Sequence, residues 1–556
     1  MTTHAVKRSI TRHPLVPVLL VATFLFVVHL NWGAPALWHP DEFVRVILVM
    51  AQSGSPDPHY YNNPSLPMYI GAIPLIPYYG YLTLFHPEML TALRSLPAQF
   101  SSLSTVPNSF MTNVLPGVRA MSVIAALLVL SVAFLVGRKV LGEEAALVGT
   151  LLTATSPLFL PHARFATVEI YLALFLWLSF LFQQGYLENA SRRDIFLSAV
   201  CVGLALASKY TAIFGAMFMF LTWLAGPRHH RHLRSLILLI AIIGFVGLLA
   251  NPWPVLSFRK VLNTTMSHHH LEVWGKGART DDWTPEVTPK RGWIAHAMTL
   301  VAALPITTLL PALAGLATIL LMLLKGRSRR DSIWLLRAHL VAWPLFYYFL
   351  SIGPWTTTPS RFLIPLVPSL GLLAGWFIVK VASLLRARWL KAALYGGVMA
   401  MAVFIASAVI MAFVHDTRYA ATDWLELHVP RGASIGYLSH QPPYLPEFPE
   451  RTEPVYIGFI RNLAVTGTEF QKEADGLSIS GPDYLVLTSL FYNRFLEGKN
   501  ERTRFYETLL SGAHPGYQEV GRFEQRALLG FRPRIDFASP TIVILRRVDG
   551  TDAQAG

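Results

Sequence analysis

Through residue 415 the chain alternates between long apolar runs and short polar connections. Stretches lacking Asp, Glu, Lys and Arg cover residues 13–40, 120–137, 145–163, 170–187, 195–208, 210–227, 235–258, 292–324, 338–360, 362–379 and 392–415. A helix needs roughly 20 mostly apolar residues to cross the hydrocarbon core. These runs therefore predict about 11 transmembrane helices, of which 195–208 is the shortest. A further run, 58–87, contains Pro58, Pro64, Pro67, Pro74, Pro77 and Pro87. Because proline interrupts helix hydrogen bonding, this run is expected to form helices lying along the membrane interface or dipping into it.

After residue 415 the pattern changes. "TRYAATDWLELHV" and "ERTRFYETLLSGA" read as helices, and "ASIGYL", "DYLVLTS" and "TIVILRR" read as strands. The predicted fold class is an α-helical polytopic membrane protein with a C-terminal α/β domain. The division is residues 1–415 for the transmembrane part, with an outer loop at 31–118, and residues 416–556 for the extracytoplasmic α/β domain. No internal repeat is apparent.

Composition agrees with this reading. Of 556 residues, 53% are hydrophobic and 14% charged, where soluble domains carry about a quarter charged. The 46 Lys and Arg exceed the 32 Asp and Glu, for a net charge of +14. The distribution of that excess points to topology rather than to nucleic acid. With eleven spans and a cytoplasmic N-terminus, the clusters at Lys7–Arg12, Arg138–Lys139, Arg192–Arg193, Arg228–Arg234, Lys325–Arg330 and Arg386–Lys391 all fall inside. Counting 58–87 as a span would reverse every cluster after the first, against the positive-inside rule. A multi-pass protein of the cytoplasmic membrane with its C-terminal domain outside is the expectation. The first run lacks a convincing cleavage site and reads as a retained span. Cys201, the single cysteine, excludes an intramolecular disulfide framework and Cys-based zinc motifs.

Ionisable groups at the edge of an apolar phase are costly and often functional. His39-Pro40-Asp41-Glu42 follows the first span; adjacent acids can divide the work of base and orienting group, or simply favour a helix N-terminus. His162, Arg164 and Glu169 lie in the turn between spans three and four, where an arginine fork suits phosphate and an Arg–Glu pair suits anchoring. Lys209 and Tyr210 lie between spans five and six, where Lys209 is either a snorkelling side chain or a phosphate counter-charge. Arg361 opens span ten behind Thr356, Thr357 and Thr358. His268, His269 and His270 with Glu272 form a weaker metal candidate, since consecutive histidines point in different directions. The acidic pair, the arginine turn, Lys209 and Arg361 are all expected on one aqueous face, which favours one shared site. No phosphate-binding glycine loop, GxSxG or HExxH motif is present.

"HPDE", "YNNPSLPMYIGAIPL", "PGVRAMSVIAALL", "HARFATVEIYLALF", "GLALASKYTAIF", "SRFLIPLVPSLGLLAG" and "DTRYAATDWLELHVPRGASI" occur in that order between residue 39 and about 438. Together they make the chain resemble the polytopic GT-C glycosyltransferases, in the branch of protein O-mannosyltransferases and lipid A aminoarabinose transferases. The resemblance implies inverting transfer of a sugar from a polyprenyl-phosphate donor to a protein, lipid or glycan acceptor. It implies Asp41 as base or its organiser, with Glu42 completing the pair and Glu169 as the second acidic position. Arg164, Lys209 and Arg361 fall where donor-phosphate contacts are expected. Many relatives carry Lys-Pro or Pro-Pro where this chain has Asn63-Pro64-Ser65, so Asn62 and Asn63 would hydrogen-bond sugar or phosphate in place of a cation. The family is divided over a divalent metal; Asp41, Glu169, His268 and His270 are the candidate ligands. The rival class is a transporter or lipid flippase, which predicts polar groups near mid-membrane.

Overall fold

Apolar residues in the N-terminal part sit on helices because nothing else satisfies the backbone in a medium without water. In the computed structural model, residues 14–95, 108–274, 292–325, 332–355, 359–438, 442–457, 460–463, 469–472, 478–496, 501–514 and 516–548 are described. Among them, seven helical segments are long and apolar enough to cross a membrane: Phe110–Leu141, Val168–Asn189, Leu233–Ala250, Ile306–Lys325, Ser332–Ile352, Ser360–Leu384 and Arg388–His428, the last of which is interrupted at His415 and Asp416. Leu15–Val27, Val44–Ser53, Tyr210–Ala225 and Gly292–Ala303 are shorter apolar helices. The apolar run 292–324 is thus two helices, broken at Pro305. The run 58–87 breaks at its prolines into Leu66–Ala72 and Leu75–Phe85, both well short of a membrane's thickness.

The chain divides into two compact units. One contains Met1–Asn31, Asp41–Lys276 and Lys290–Val409; the other contains Trp32–Pro40 and Ile410–Gly556. In the first, the helices Glu143–Ala154 and Val367–Leu384 meet backbone to backbone. A Cβ on Gly375 would lie 2.5 Å from the Ala145 carbonyl oxygen, and one on Gly149 would lie 2.7 Å from the Leu372 Cα. Gly371 and Gly375, one helical turn apart, make the small-residue face that such an approach requires.

The second unit is built on a five-stranded sheet. Its strands are β1 (Ser434–Tyr437), β2 (Glu453–Tyr456), β6 (Tyr484–Thr488), β7 (Tyr517–Phe523) and β8 (Ile542–Arg547), in the order β2-β1-β6-β8-β7. β1 runs parallel to β2 and β6, and β8 is antiparallel to β6 and β7. β3 (Ile460–Leu463), β4 (Glu469–Lys472) and β5 (Ser478–Ser480) form a separate antiparallel sheet. Leu485, Leu487, Val543 and Leu545 pack on one side of the larger sheet with Phe491, Phe495 and Leu509. Tyr484, Val486, Ile542 and Ile544 pack on the other with Ala421 and Leu425. Coverage on both faces explains why β6 and β8 read as unbroken apolar runs.

The segment Trp32–Pro40 is held in this unit by Arg418. The Arg418 guanidinium lies over the rings of Trp38 and Trp32, 4.1 and 5.3 Å from their centroids. It donates to Asp416 Oδ1 and Oδ2 at 2.9 and 2.8 Å and to the Pro443 and Phe537 carbonyls at 2.7 Å. Asp416 in turn accepts from Trp32 Nε1 at 3.1 Å and the Ser539 amide at 2.8 Å. The buried charges are therefore paired and hydrogen-bonded, as burial demands.

Candidate functional site

Asp41 and Glu42 are adjacent but serve different surroundings. Glu42 is buried against Arg119, which donates from Nε to Oε1 and from Nη2 to Oε2, both at 2.8 Å. Oε1 also accepts the Ala166 amide at 2.9 Å, while the Phe43 amide donates to the Ala166 carbonyl at 3.0 Å. Arg119 closes the arrangement on the Leu30 carbonyl at 2.8 Å. Glu42 thereby staples the segment that follows the first apolar helix to the turn between Phe159–His162 and Val168–Asn189. Arg164, buried in the same turn, donates to the Val28 carbonyl.

With the backbone fixed there, Asp41 comes to Arg361 and, through it, to Glu169. Arg361 Nη1 is 2.9 Å from Asp41 Oδ2, and its Nε is 3.3 Å from Glu169 Oε1. Lys209 Nζ lies 3.0 Å from the same Glu169 oxygen and 4.2 Å from the centroid of the Phe362 ring. Glu169 is the second residue of its helix, where the backbone dipole favours an acid. Side-chain exposure falls from 40% at Asp41 through 18% at Arg361 and 12% at Lys209 to 4% at Glu169. The buried carboxylate holds two cations from behind, and the open carboxylate is the one that faces solvent. His162 is buried and close enough to Glu169 to interact with its charge.

The proline-rich stretch is pinned beside this cluster. The Leu66 amide donates to the Ala207 carbonyl at 3.1 Å, and Ser65 Oγ to Asn251 Oδ1 at 2.9 Å. Tyr210 packs with Tyr61, Trp253 and Val261 and so supports the stretch. Tyr60 hydrogen-bonds the side chains of Asn62 and Asn63 and feels the charges of Asp41 and Arg361. Burial, followed by the Asp41 carboxylate, pushes its phenol above the ordinary value, which leaves a protonated donor at neutral pH.

Sequence reasoning placed Asp41, Glu169, Lys209 and Arg361 on separate connections, and the structure brings these four into one chain of ion pairs. It missed Arg119, Tyr60, Phe362 and Tyr347. Arg119 had a signal, as a charge at the mouth of an apolar helix. Tyr347, buried near Glu169 in a π-helical turn at Tyr347–Ile352, had none. His268–His270 belong to the helix Phe258–Trp274 rather than to a loop, and their side chains, with Thr356–Thr358, lie outside the described residues.

Of the metal candidates, Asp41 and Glu169 have described side chains, and these two do not form a divalent-ion site. Among the described residues, no three His, Cys, Asp or Glu side chains converge. Asp41 and Glu169 meet across the Arg361 guanidinium, which occupies the electrostatic position a cation would take.

Residues 108–255 match the family described as dolichyl-phosphate-mannose-protein mannosyltransferase. No curated protein matches the chain in sequence. Among solved structures, the chain is similar to ArnT from Cupriavidus metallidurans bound to undecaprenyl phosphate, at 14% identity and TM-score 0.46, over 95% of this chain and 97% of that one. It is also similar to the oligosaccharyltransferase AglB from Archaeoglobus fulgidus in complex with an inhibitory peptide and a dolichol-phosphate, at 14% identity and TM-score 0.48, over 97% and 89% of the two chains. The mycobacterial arabinofuranosyltransferase AftD gives 16% identity and TM-score 0.36, over 91% of this chain and 39% of that one.

Proposed function

We propose that this chain is a membrane glycosyltransferase that moves a sugar from a polyprenyl-phosphate donor to a hydroxyl-bearing acceptor on the extracytoplasmic face of the cytoplasmic membrane. The match of residues 108–255 to a lipid-phosphate-dependent mannosyltransferase family supports the reaction class. The observation that carries the mechanism is the ion-pair chain Asp41–Arg361–Glu169–Lys209.

In this reading the acceptor hydroxyl gives its proton to Asp41 as its oxygen bonds to the anomeric carbon. The bond from that carbon to the phosphate oxygen breaks, and the electron pair leaves with polyprenyl phosphate. Charge grows on the departing phosphate, where fixed cations stabilise it. Arg361 and Lys209 are those cations, and Glu169 holds both in place. Tyr60, Asn62 and Asn63 supply neutral hydrogen bonds to the sugar. Glu42 acts through the backbone and keeps Asp41 in register. Direct attack on the anomeric carbon inverts its configuration. Eleven spans with the N-terminus inside would put this cluster and the C-terminal α/β unit on the outer face.

The test is donor turnover by the purified chain in lipid, with polyprenyl-phosphate sugars offered in parallel together with acceptor hydroxyls. Release of polyprenyl phosphate is followed by mass spectrometry. The expected result is release from one donor and a loss of about 10²-fold or more in Asp41→Asn, the scale of a general base. Unchanged turnover in that variant removes the role assigned to Asp41.

A further inference from the structure

β7 ends at Phe523, and the chain then runs Glu524-Gln525-Arg526-Ala527-Leu528-Leu529-Gly530-Phe531-Arg532-Pro533-Arg534. The Leu528 amide donates to the Phe531 carbonyl at 3.0 Å, and the Phe531 amide returns to Leu528 at 2.9 Å, closing a two-residue turn. Both central residues have positive φ, 48° at Leu529 and 83° at Gly530. Such a turn favours Asn or Asp followed by Gly, and a leucine in its first position is sterically disfavoured. Burial does not compensate here, because Leu529 is 90% exposed, the highest value for a large hydrophobic side chain among the described residues.

Arg526, Arg532 and Arg534 surround this tip and are exposed. Of the nearby acids, Glu524 pairs with Arg532 at 3.3 Å. An apolar tip with a collar of arginines complements the boundary between acyl chains and anionic headgroups.

The root of the loop shares a cleft of about 390 Å³ with the end of the last long apolar helix. Val414, His415 and Asp423 line it on one side, and Phe523, Glu524 and Arg526 on the other. Val414 is the last residue of the 27-residue helix Arg388–Val414, and His415 and Asp416 are the first polar groups beyond it. The root of the loop therefore adjoins the first polar residues after that helix. We propose that residues 524–534 form an interfacial anchor that inserts Leu529 into an anionic lipid leaflet, with Arg526, Arg532 and Arg534 on headgroup phosphates.

The experiment uses the full chain with the buried Cys201 replaced (Cys201→Ala). An environment-sensitive fluorophore is attached at Ala527→Cys, and the protein is reconstituted in phosphatidylcholine vesicles with about 30% phosphatidylglycerol, an anionic surface of the relevant kind. Quenching by a spin label high on the acyl chain is the readout. The control label is at Glu453→Cys, exposed on β2 at the sheet edge opposite β7. The expected result is a blue-shifted, quenched probe at 527 and an unquenched one at 453. Leu529→Asp should abolish the quenching at 527. The triple variant R526Q/R532Q/R534Q should lower it by about twofold or more in anionic vesicles and leave it unchanged in pure phosphatidylcholine. A water-like emission at 527 overturns the proposal, as does a shielded probe that lipid spin labels do not quench, which would mean that protein covers the tip. Quenching that survives Leu529→Asp overturns it as well.

Discussion

Asp41 and Glu42 are chemically near-identical neighbours, yet the structure gives them opposite surroundings. The Glu42 carboxylate is fully enclosed and bidentate on Arg119, whereas Asp41 is open on one side. Removing one partner of a buried ion pair leaves the other charge uncompensated, at a cost of about 3–5 kcal/mol. Glu42→Gln should therefore lower the thermal midpoint of the detergent-solubilised protein by several degrees, while Asp41→Asn should leave it nearly unchanged. Equal shifts in the two variants would erase the distinction. The sequence marks both acids as a pair but offers no way to tell them apart, because the partner that separates them lies 77 positions away in Arg119. The same limit applies to Arg164: a fork suited to phosphate is equally suited to a carbonyl, and here it is seen on Val28.

At the scale of elements, periodicity and breakers were informative where the physics is local. Prolines in 58–87 do divide it into short helices, and the helix and strands foreseen after residue 415 include Thr417–His428, β1, β6 and β8. Pro305 divides a run whose uninterrupted hydrophobicity suggested one helix. The π turn at Tyr347–Ile352 was not legible, since a single wide turn leaves the apolar pattern almost intact. Close packing was also hidden in plain composition. Gly371 and Gly375 lie on the helix that continues from Ser360–Leu366 and so carries Arg361 at its N-terminal end. A side chain at Gly375 meets the backbone of Glu143–Ala154, which has no way to give. Gly375→Val should push that helix aside and cost about 10²-fold in donor turnover, the scale of a misplacement near 1 Å. Wild-type turnover in a folded Gly375→Val protein would show that the helix tolerates the shift without moving Arg361.

For the molecule as a whole, stability in acid should be set partly in the C-terminal unit. Asp483 is partly buried, which would raise its carboxyl. The Ser434 amide and hydroxyl at 2.9 and 2.8 Å, and then Arg547 at 3.1 Å, outweigh that and hold it below the ordinary value. The folded unit thus binds this proton less readily than the unfolded chain. The stabilisation is full above about pH 4 and is lost as the pH falls through the folded value. Amide protection of β1 and β6 should decline in that acid range, and Asp483→Asn should flatten the decline; an identical acid profile in the variant would exclude Asp483 as its source.

The residues gathered around Arg418 bear on how such a protein is recombined. Trp32 and Trp38 are 1% exposed, and both belong by packing to a unit whose next described residue is Ile410. The C-terminal unit is consequently not a contiguous cassette. A chimaera that exchanges residues 416–556 for another protein's domain would bring a foreign surface to two large indole rings shaped for Arg418 and Tyr419. Exchanging residues 32–40 together with 416–556 should yield a monodisperse protein on size exclusion, and exchanging 416–556 alone an aggregated one. Among the described residues, inheritance of the C-terminal unit therefore works in two pieces, the smaller of which ends one peptide bond before Asp41.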